Sequence, residues 1–290
     1  MLITWKYKER NTIIQKLDPR ARIIFTLCAM LAIMQFWDLR FIAFFLLLGV
    51  VQLVLARLSW RETRRFWVVI SIIAVILSLV TALTGRGGTG VYVDTHILWE
   101  PAPFTILGLT LRPRLSAERV MFLFSQLARI ISFALLAIVI PYTIHPARYG
   151  ITFRRLGLPD KLAFAVDLAF RFIPSLGRDF SIVMDAQKAR GYELERVDTG
   201  LIGQIRNMAP LLIPITVGSV VGGEEVIDAM DLRAFGTGPR TWLQDLQYKT
   251  ADYLLIGFSL CILVGALALN LLDIGELWVP LWLQQLAAGS

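Results

Sequence analysis

The sequence predicts an all-α membrane protein with about five transmembrane helices and further long helices along the cytosolic face of the membrane. Of its 290 residues, 56% are hydrophobic, which is more apolar surface than a soluble domain can bury. The chain also carries 29 Lys and Arg residues and 22 Asp and Glu residues, too many charges for a protein that lies wholly in lipid. A membrane-embedded part and a substantial cytosolic part are therefore both expected.

Five apolar segments are candidates for crossing the bilayer: 23–37, 41–56, 66–83, 120–140 and 253–272. A helix of ~20 residues crosses a hydrocarbon core of ~30 Å, so the last three segments are long enough. The first two are short and require Trp37 and Arg57 at the membrane interface. Asp18 and Pro19 precede the first segment, where Asp can cap the free helix amides and Pro suits the first turn.

The distribution of Lys and Arg predicts the orientation in the membrane. These residues concentrate in the leader, after the second segment and after the fourth segment: Lys6, Lys8, Arg10, Lys16, Arg20 and Arg22; Arg57, Arg61, Arg64 and Arg65; Arg148, Arg154, Arg155 and Lys161. All three groups lie on one side if the N-terminus is cytoplasmic. Five crossings then place the C-terminus outside, and no Lys or Arg follows Lys249. We expect a multi-pass protein of the plasma membrane in this orientation.

The segment 85–117 falls on the external side in this topology, although it contains Arg86, Arg112 and Arg114. Its Gly and Pro residues and alternating apolar residues predict a small hairpin or an interfacial cap. The glycine-rich stretch 85–90 lacks the Gly-Lys-Ser/Thr of a phosphate-binding loop, so we interpret it as a flexible turn.

The chain is predicted to consist of three regions. An N-terminal membrane region with four transmembrane helices covers 1–157, a cytosolic helical region covers 158–249, and a C-terminal transmembrane helix with a tail covers 250–290. The helices of the middle region are expected along the inner membrane face, because their charges recur too often for hydrocarbon.

Three helical segments are predicted in the region 158–249. The first, over 162–172, is broken or kinked by Pro174, and the second, over 175–190, ends at Gly191, a favourable residue after a helix C-terminus. The third covers 204–233, and its small residues allow another helix to pack closely.

Two stretches of this region share one pattern. Residues 185–192 and 228–235 each read Asp-Ala, two spacers, a small or apolar residue, Arg, a small residue and an aromatic residue. A single arginine that ends a helix is usually a solvated residue, but the duplication favours a paired docking device that serves two equivalent receptors. The guanidinium of Arg190 or Arg233 can pair bidentately with a partner, and the aromatic residue that follows, Tyr192 or Phe235, can bury against it.

The sequence predicts no catalytic, metal or cofactor site. Cys28 and Cys261 lie in apolar segments, and His96 and His145 lack the spacing of metal ligands. No Ser-His-Asp or Cys-His arrangement is apparent, so we expect a non-catalytic subunit without a cofactor. The basic residues accompany apolar spans, where the positive-inside effect explains them, so nucleic acid is not an expected partner.

Two charged pairs have simple structural interpretations. Glu224 and Glu225 are adjacent, so on a helix they point about 100° apart and cannot form an acid/base pair. Asp167 and Arg171 are four residues apart, which predicts an intrahelical ion pair.

Motifs along most of the chain resemble the transmembrane T component of energy-coupling factor transporters, the family that includes the membrane subunit of cobalt uptake systems. The matching residues are Leu17-Asp18-Pro19-Arg20, Leu156-Gly157-Leu158-Pro159, Arg171-Phe172-Ile173-Pro174, Ala186-Gln187-Lys188-Ala189-Arg190-Gly191, and Glu224-Glu225 leading to Ala229-Met230-Asp231-Leu232-Arg233. Each motif alone is weak, and their combination is specific.

The resemblance implies that the region 158–249 forms coupling helices that end in two X-Arg-X triplets, each entering a groove of one ATP-binding subunit. These triplets are Ala189-Arg190-Gly191 and Leu232-Arg233-Ala234, and the second departs from the common Ala-Arg-Gly, with its nearest glycine at Gly236. Two ATPase subunits and a substrate-binding membrane protein, the S component, are the implied partners, together with the lipid bilayer. ATP hydrolysis would reside in the ATPase subunits, and the family's range of substrates is vitamins and cobalt or nickel ions.

Two other functions fit the residues. A self-contained carrier or channel could use Asp167, Arg171 and Arg129 along its pathway, because ionisable groups within a membrane usually mark one. A membrane scaffold could dock another dimeric protein through the same arginines.

Overall fold

The structure, a computed structural model, describes residues 7–84, 97–99, 104–106, 109–111, 115–192, 201–238, 245–272, 274–275 and 277–280. Its elements are α1 (Ile13–Lys16), α2 (Pro19–Ile33), α3 (Leu39–Leu55), α4 (Trp60–Thr84), β1 (Ile97–Trp99), β2 (Phe104–Ile106), β3 (Leu109–Leu111), β4 (Leu115–Ser116), α5 (Ala117–Thr143), α6 (Tyr149–Arg155), α7 (Asp160–Ala189), α8 (Leu201–Asp231) and α9 (Thr250–Leu271). The strands have only two or three residues each, so the predicted all-α membrane class is confirmed.

The chain forms two compact units. The membrane unit comprises Tyr7–Ile144 and Gln247–Ser290, and the hairpin unit comprises His145–Leu246. The hairpin unit starts before residue 158 because a 3₁₀ turn (Pro146–Arg148) and α6 pack on α7.

Apolar side chains from four helices form the core of the membrane unit. Phe25 and Ile33 of α2, Ile42 of α3 and Leu136 of α5 are buried together, and Ala266 brings α9 into the same cluster. Helices α3 and α5 approach closely because α3 has a glycine at their contact: a Cβ on Gly49 would lie 2.7 Å from Leu135 Cβ.

Four described helices are long and apolar enough to cross a membrane: Trp60–Thr81, Ala117–Thr143, Met208–Asp231 and Thr250–Leu271. The first, second and fourth correspond to predicted spans, and the shorter apolar helix Leu39–Leu55 corresponds to the predicted span 41–56. Met208–Asp231 belongs to α8, the helix expected along the cytosolic face. Length and composition alone therefore do not distinguish a helix that crosses the membrane from one that lies along its face.

The first predicted span is wrong at its end. Helix α2 stops at Ile33 rather than at Trp37, and the amide of Trp37 instead donates to the carbonyl of Gly275, at 2.8 Å. The 15 residues of α2 are about 22 Å long, less than the ~30 Å of a hydrocarbon core.

A buried polar network joins the starts of α2 and α9. As predicted, Asp18 caps α2: its Oδ1 accepts from the Arg20 amide at 2.8 Å, and its carboxylate also pairs with the Arg20 guanidinium. That guanidinium stacks on the ring of Tyr248, 3.8 Å from its centroid. The fully buried Asp252 of α9 accepts from the amides of Asp18 at 2.7 Å and Lys249 at 2.8 Å. One carboxylate therefore ties two segments that are distant in sequence.

Arg129 stabilises the turn between α2 and α3. Its buried guanidinium donates to the carbonyl of Phe36 and lies 4.1 Å from the centroid of the Trp37 ring, which stacks on Phe122. These contacts assign a packing role to a residue that a carrier could have used along its pathway.

The predicted hairpin of segment 85–117 is present in its described part. Strands β2 and β3 pair antiparallel, with Phe104 opposite Leu111, and β1 pairs with β4 immediately before α5. The predicted turn at 85–90 lies outside the described residues.

Of the two predicted effects of Pro174, a break or a kink, the break is wrong, because α7 continues for 30 residues from Asp160 to Ala189. Proline removes one helical hydrogen bond, but long helical segments on both sides and packing against α6 and α8 keep the helix continuous. The predicted helix 204–233 agrees with α8.

Candidate functional site

The first arginine triplet forms the end of α7. Ala189 is the last helical residue, Arg190 follows as the cap, and Gly191 has a positive φ of 83°. The amides of Gly191 and Tyr192 donate to the carbonyls of Lys188 and Gln187, both at 3.0 Å. This is a Schellman motif, which satisfies the last helix carbonyls and turns the chain away from the axis. The helix end predicted at Gly191 is confirmed.

The second triplet repeats this geometry at the end of α8. The amides of Ala234 and Phe235 donate to the carbonyls of Asp231 and Met230, at 2.9 and 3.0 Å. Arg233 therefore occupies the same cap position as Arg190, and Ala234 takes the position of Gly191, with a φ of +52°. The missing glycine does not delay the helix end, because Ala234 itself adopts the left-handed conformation.

Both arginines are exposed at these tips. Among the residues that the structure describes, neither guanidinium makes an ion pair or hydrogen bond. Leu232, beside Arg233, is 90% exposed, which is unusual for a large apolar side chain. Ala189, Gly191 and Ala234 are exposed as well. The six triplet residues thus present two accessible surfaces with a cation at each.

The aromatic residues after the triplets are half-buried. Phe235 packs against Phe164 near the start of α7, with ring centroids 4.6 Å apart and the ring planes tilted by 52°. At the other end of the pair, Gln187 of α7 donates from Nε2 to the carbonyl of Pro210 of α8, at 3.3 Å.

These two contacts make α7 and α8 an antiparallel hairpin with one arginine tip at each end. Gln187 and Phe164 are separated by 23 residues, which corresponds to about 35 Å along a helix. Arg190 and Arg233 therefore lie at opposite ends of a long hairpin, too far apart to grip one small ligand together.

A groove of about 580 Å³ adjoins the second tip. Its apolar wall includes Phe172 and Met230, and its polar wall consists of Arg171, Glu225 and Arg233. No sequence motif predicted this groove, because its two sides are about 60 residues apart in the chain. An apolar floor with a cationic edge can receive a partner's side chains of complementary polarity.

The predicted ion pair between Asp167 and Arg171 is wrong as a direct contact, since no such pair within 4 Å exists among the described residues. Arg171 lines the groove instead. Asp167 packs on α6: a Cβ on Gly150 of that helix would lie 2.7 Å from the Cβ of Asp167. Partial burial raises the pKa of the Asp167 carboxyl, and the charge of Arg171 opposes that rise.

A further apolar surface lies along α8. Ile213, Val217 and Val220 are exposed, and a Cβ built on Gly218 or Gly222 would meet no atom within 4 Å. The close packing that these small residues permit is therefore not made within the described part of this chain.

Fold and site define a multi-pass helical membrane protein with a long hairpin that ends in two exposed arginines. The family model CbiQ, described as cobalt transport protein, matches residues 10–242. The energy-coupling factor transporter transmembrane protein EcfT of Acidaminococcus fermentans is 28% identical over 272 residues, which cover 90% of this chain and 95% of that protein. EcfT of Lactobacillus helveticus is 25% identical over 281 residues, 92% of each chain. The chain belongs to this family, as the transmembrane T component of an energy-coupling factor transporter.

Proposed function

We propose that this T component transmits the motion of two ATP-binding subunits to a substrate-binding S component in the membrane. The observation that carries the proposal is the repetition of one helix-end geometry, with an unpaired arginine at each end of the hairpin formed by α7 and α8. Two equivalent tips suit the two halves of an ATPase dimer, because one groove geometry then serves both contacts.

At each tip the guanidinium of Arg190 or Arg233 would enter a groove of one ATPase subunit. An arginine fork binds carboxylates or carbonyls bidentately, and it is a frequent hot spot in protein interfaces. The neighbouring triplet residues Ala189, Gly191, Leu232 and Ala234 would contact the groove walls. Tyr192 and Phe235 would support the tips, as Phe235 does through Phe164.

The membrane partner would bind the exposed apolar face of α8. Gly218 and Gly222 stand four residues apart with open space above them, an arrangement that lets a second helix approach closely. The exposed Leu162 of α7 would extend this surface at the other helix. Closing and reopening of the ATPase dimer would then change the angle between α7 and α8 and remodel the platform on which the S component rests.

The substrate would be a vitamin or a transition-metal ion, selected by the S component rather than by this chain. The T component itself would be non-catalytic, with ATP hydrolysis in the partner subunits. Its N-terminus would be cytoplasmic and its C-terminus external, so that both arginine tips face the ATPases.

The proposal is tested by Arg190→Ala, Arg233→Ala and the double substitution, in complexes purified through this chain. Loss of an interface arginine at a hot spot costs about 2 kcal/mol, which weakens binding roughly 30-fold. We expect each single variant to retain less ATPase protein and the double variant to lose it, together with transport-coupled ATP hydrolysis.

Arg178→Ala is the matched control, because Arg178 is an exposed arginine within α7, away from its end. Arg190→Lys and Arg233→Lys distinguish the effect of the positive charge from that of bidentate hydrogen bonding, since lysine keeps the cation but lacks the planar guanidinium. Full ATPase binding and activity in the double alanine variant would refute the docking role.

A further inference from the structure

A second cavity lies in the membrane unit, between α1, α2, α3 and α9. Its volume is about 330 Å³, which is within the range of ~300–1,000 Å³ typical of ligand pockets. Phe25, Phe44, Leu48 and Phe258 contribute to its nearly continuous apolar wall. This cavity contains none of the residues assigned to docking, so its role does not depend on the proposed function.

The cavity opens toward the lipid-facing surface of α3. Leu47, Val51 and Leu55 line it and are also exposed on the outside of the helix. A molecule that lies in the bilayer can therefore enter from the side.

One polar group within the cavity is incompletely satisfied. Gln52 is only 9% exposed, and its Oε1 has no hydrogen-bond partner among the described residues. An unbonded buried amide group costs about 1–3 kcal/mol, so an occupant with a polar group at this depth is favoured. A rotated Gln52 amide presents its NH2 group at the same place, where it can donate to an ester carbonyl. The buried guanidinium of Arg22, which donates to the carbonyl of Thr143 at 3.2 Å, lines the same cavity.

Two exposed basic residues flank one end of the cavity. Lys16 precedes the lining residue Leu17, and Arg57 follows the lining residue Leu55 by two positions. Neither side chain makes an ion pair within the part of the chain that the structure describes. They provide two cations at a membrane interface, where anionic headgroups are attracted.

The order of these groups along α3 corresponds to the order of groups in a phospholipid. Arg57 lies five residues, about 8 Å, beyond Gln52, and Phe44 lies eight residues, about 12 Å, before it. A phosphate near Arg57 thus places glycerol and ester groups near Gln52 and an acyl chain beside Leu48 and Phe44.

We propose that this cavity binds one acyl chain of an anionic phospholipid, phosphatidylglycerol, whose phosphate lies at Lys16 and Arg57. Phosphatidylglycerol carries a net negative charge that pairs with these two cations, whereas phosphatidylcholine is neutral overall. Because the acyl chain passes from the bilayer into the cavity without contact with water, its retention depends on close packing in the cavity and on the two cations at one end of it.

The test is the amount of phosphatidylglycerol that stays with the purified protein after a detergent wash, measured by native mass spectrometry. Val51→Trp fills the cavity from α3, whereas Val54→Trp places the same indole on the same helix at a position outside the lining; these valines are 48% and 67% exposed. We expect about one retained lipid per chain in the wild type and in Val54→Trp, and at least a fivefold reduction in Val51→Trp. Leu47→Trp provides a second cavity-filling variant, should Val51→Trp fail to fold.

The headgroup is tested by exchange into equal amounts of phosphatidylglycerol and phosphatidylcholine. The wild type should retain phosphatidylglycerol preferentially, and the pair Lys16→Gln with Arg57→Asn should lose that preference; asparagine tolerates the positive φ of 50° at position 57. Equal retention in the two tryptophan variants, or no preference in the wild type, would overturn the proposal. Val51→Trp that keeps its lipid but loses a co-purifying membrane protein would assign the cavity to that protein instead.

Discussion

At Ala234 the backbone adopts a left-handed conformation that alanine rarely takes. The same position of the other tip holds Gly191, which has no Cβ and adopts it without strain. A Cβ on Gly191 would meet no atom within 4 Å, so the difference between the two residues is one of backbone energy and not of space. The second tip therefore forms at a cost of about 1–2 kcal/mol that the first tip avoids.

The first prediction uses this matched pair. Gly191→Ala should destabilise the first tip by about 1 kcal/mol, and Ala234→Gly should stabilise the second by a similar amount. Hydrogen exchange at the amides of Tyr192 and Phe235, which close the two motifs, should change roughly fivefold in opposite directions. Gly218→Ala, inside α8, is the control, and it should leave both amides unaffected. Parallel changes at the two tips would contradict the shared geometry.

At the scale of elements, α6 packs on α7 through a glycine. Backbone and side-chain atoms of α7 occupy the space beside Gly150: a Cβ there would lie 2.8 Å from the carbonyl oxygen of Ala163 and 2.7 Å from Asp167 Cβ. Because one of these atoms belongs to the backbone, relaxation would have to move the helix itself.

The second prediction is that Gly150→Ala separates α6 from α7 and lowers stability by about 1–3 kcal/mol, as overpacking does in a dense contact. The thermal unfolding midpoint of the purified protein is the measurement. Gly257→Ala in α9 is the comparison, since a Cβ at Gly257 has open space. Equal unfolding midpoints for the two variants would show that α6 and α7 are less closely packed at Gly150 than these distances require.

At the scale of the whole molecule, the position of α8 relative to the membrane decides whether both tips can reach partners on one side. If α8 lies along the membrane face, Arg190 and Arg233 share a side. If α8 crosses, as its composition permits, they lie on opposite sides.

The third prediction is that single cysteines at Lys188 and Thr237, both exposed next to a tip, react with a membrane-impermeant thiol reagent from the cytosolic side only. The background would be a chain in which Cys28 and Cys261 are replaced. Leu272→Cys, at the end of α9, should react only from outside and reports that the vesicles are oriented. Labelling of Lys188→Cys and Thr237→Cys from opposite sides would exclude docking of both tips on one ATPase dimer.

Much of the fold and of the candidate site could be predicted from the sequence, because these features depend on local chemistry. Asp18 with Pro19 identified the start of α2, and the apolar segments identified α3, α4, α5 and α9, because capping and hydrophobic length depend on neighbouring residues. The duplicated pattern identified Arg190 and Arg233, since the hydrogen bonds of a helix end span only six residues.

The wrong predictions concern features that depend on contacts with residues elsewhere in the fold. Pro174 does not end α7, because packing along a 30-residue helix outweighs the loss of one hydrogen bond. Asp167 and Arg171 are not in contact, because Asp167 packs on α6 and Arg171 lines the groove. The role of Asp252 was also unforeseen: it accepts the amide of Asp18, 234 residues away.

By itself the sequence determined the membrane class, most helix positions and the two arginine tips, because each depends on a short stretch of chain. Only the tertiary structure placed the tips at opposite ends of an antiparallel hairpin and formed the groove beside Arg233 and the open cavity around Gln52. Those features depend on which helices meet and in which direction, and such contacts join residues whose separation along the chain carries no local signal.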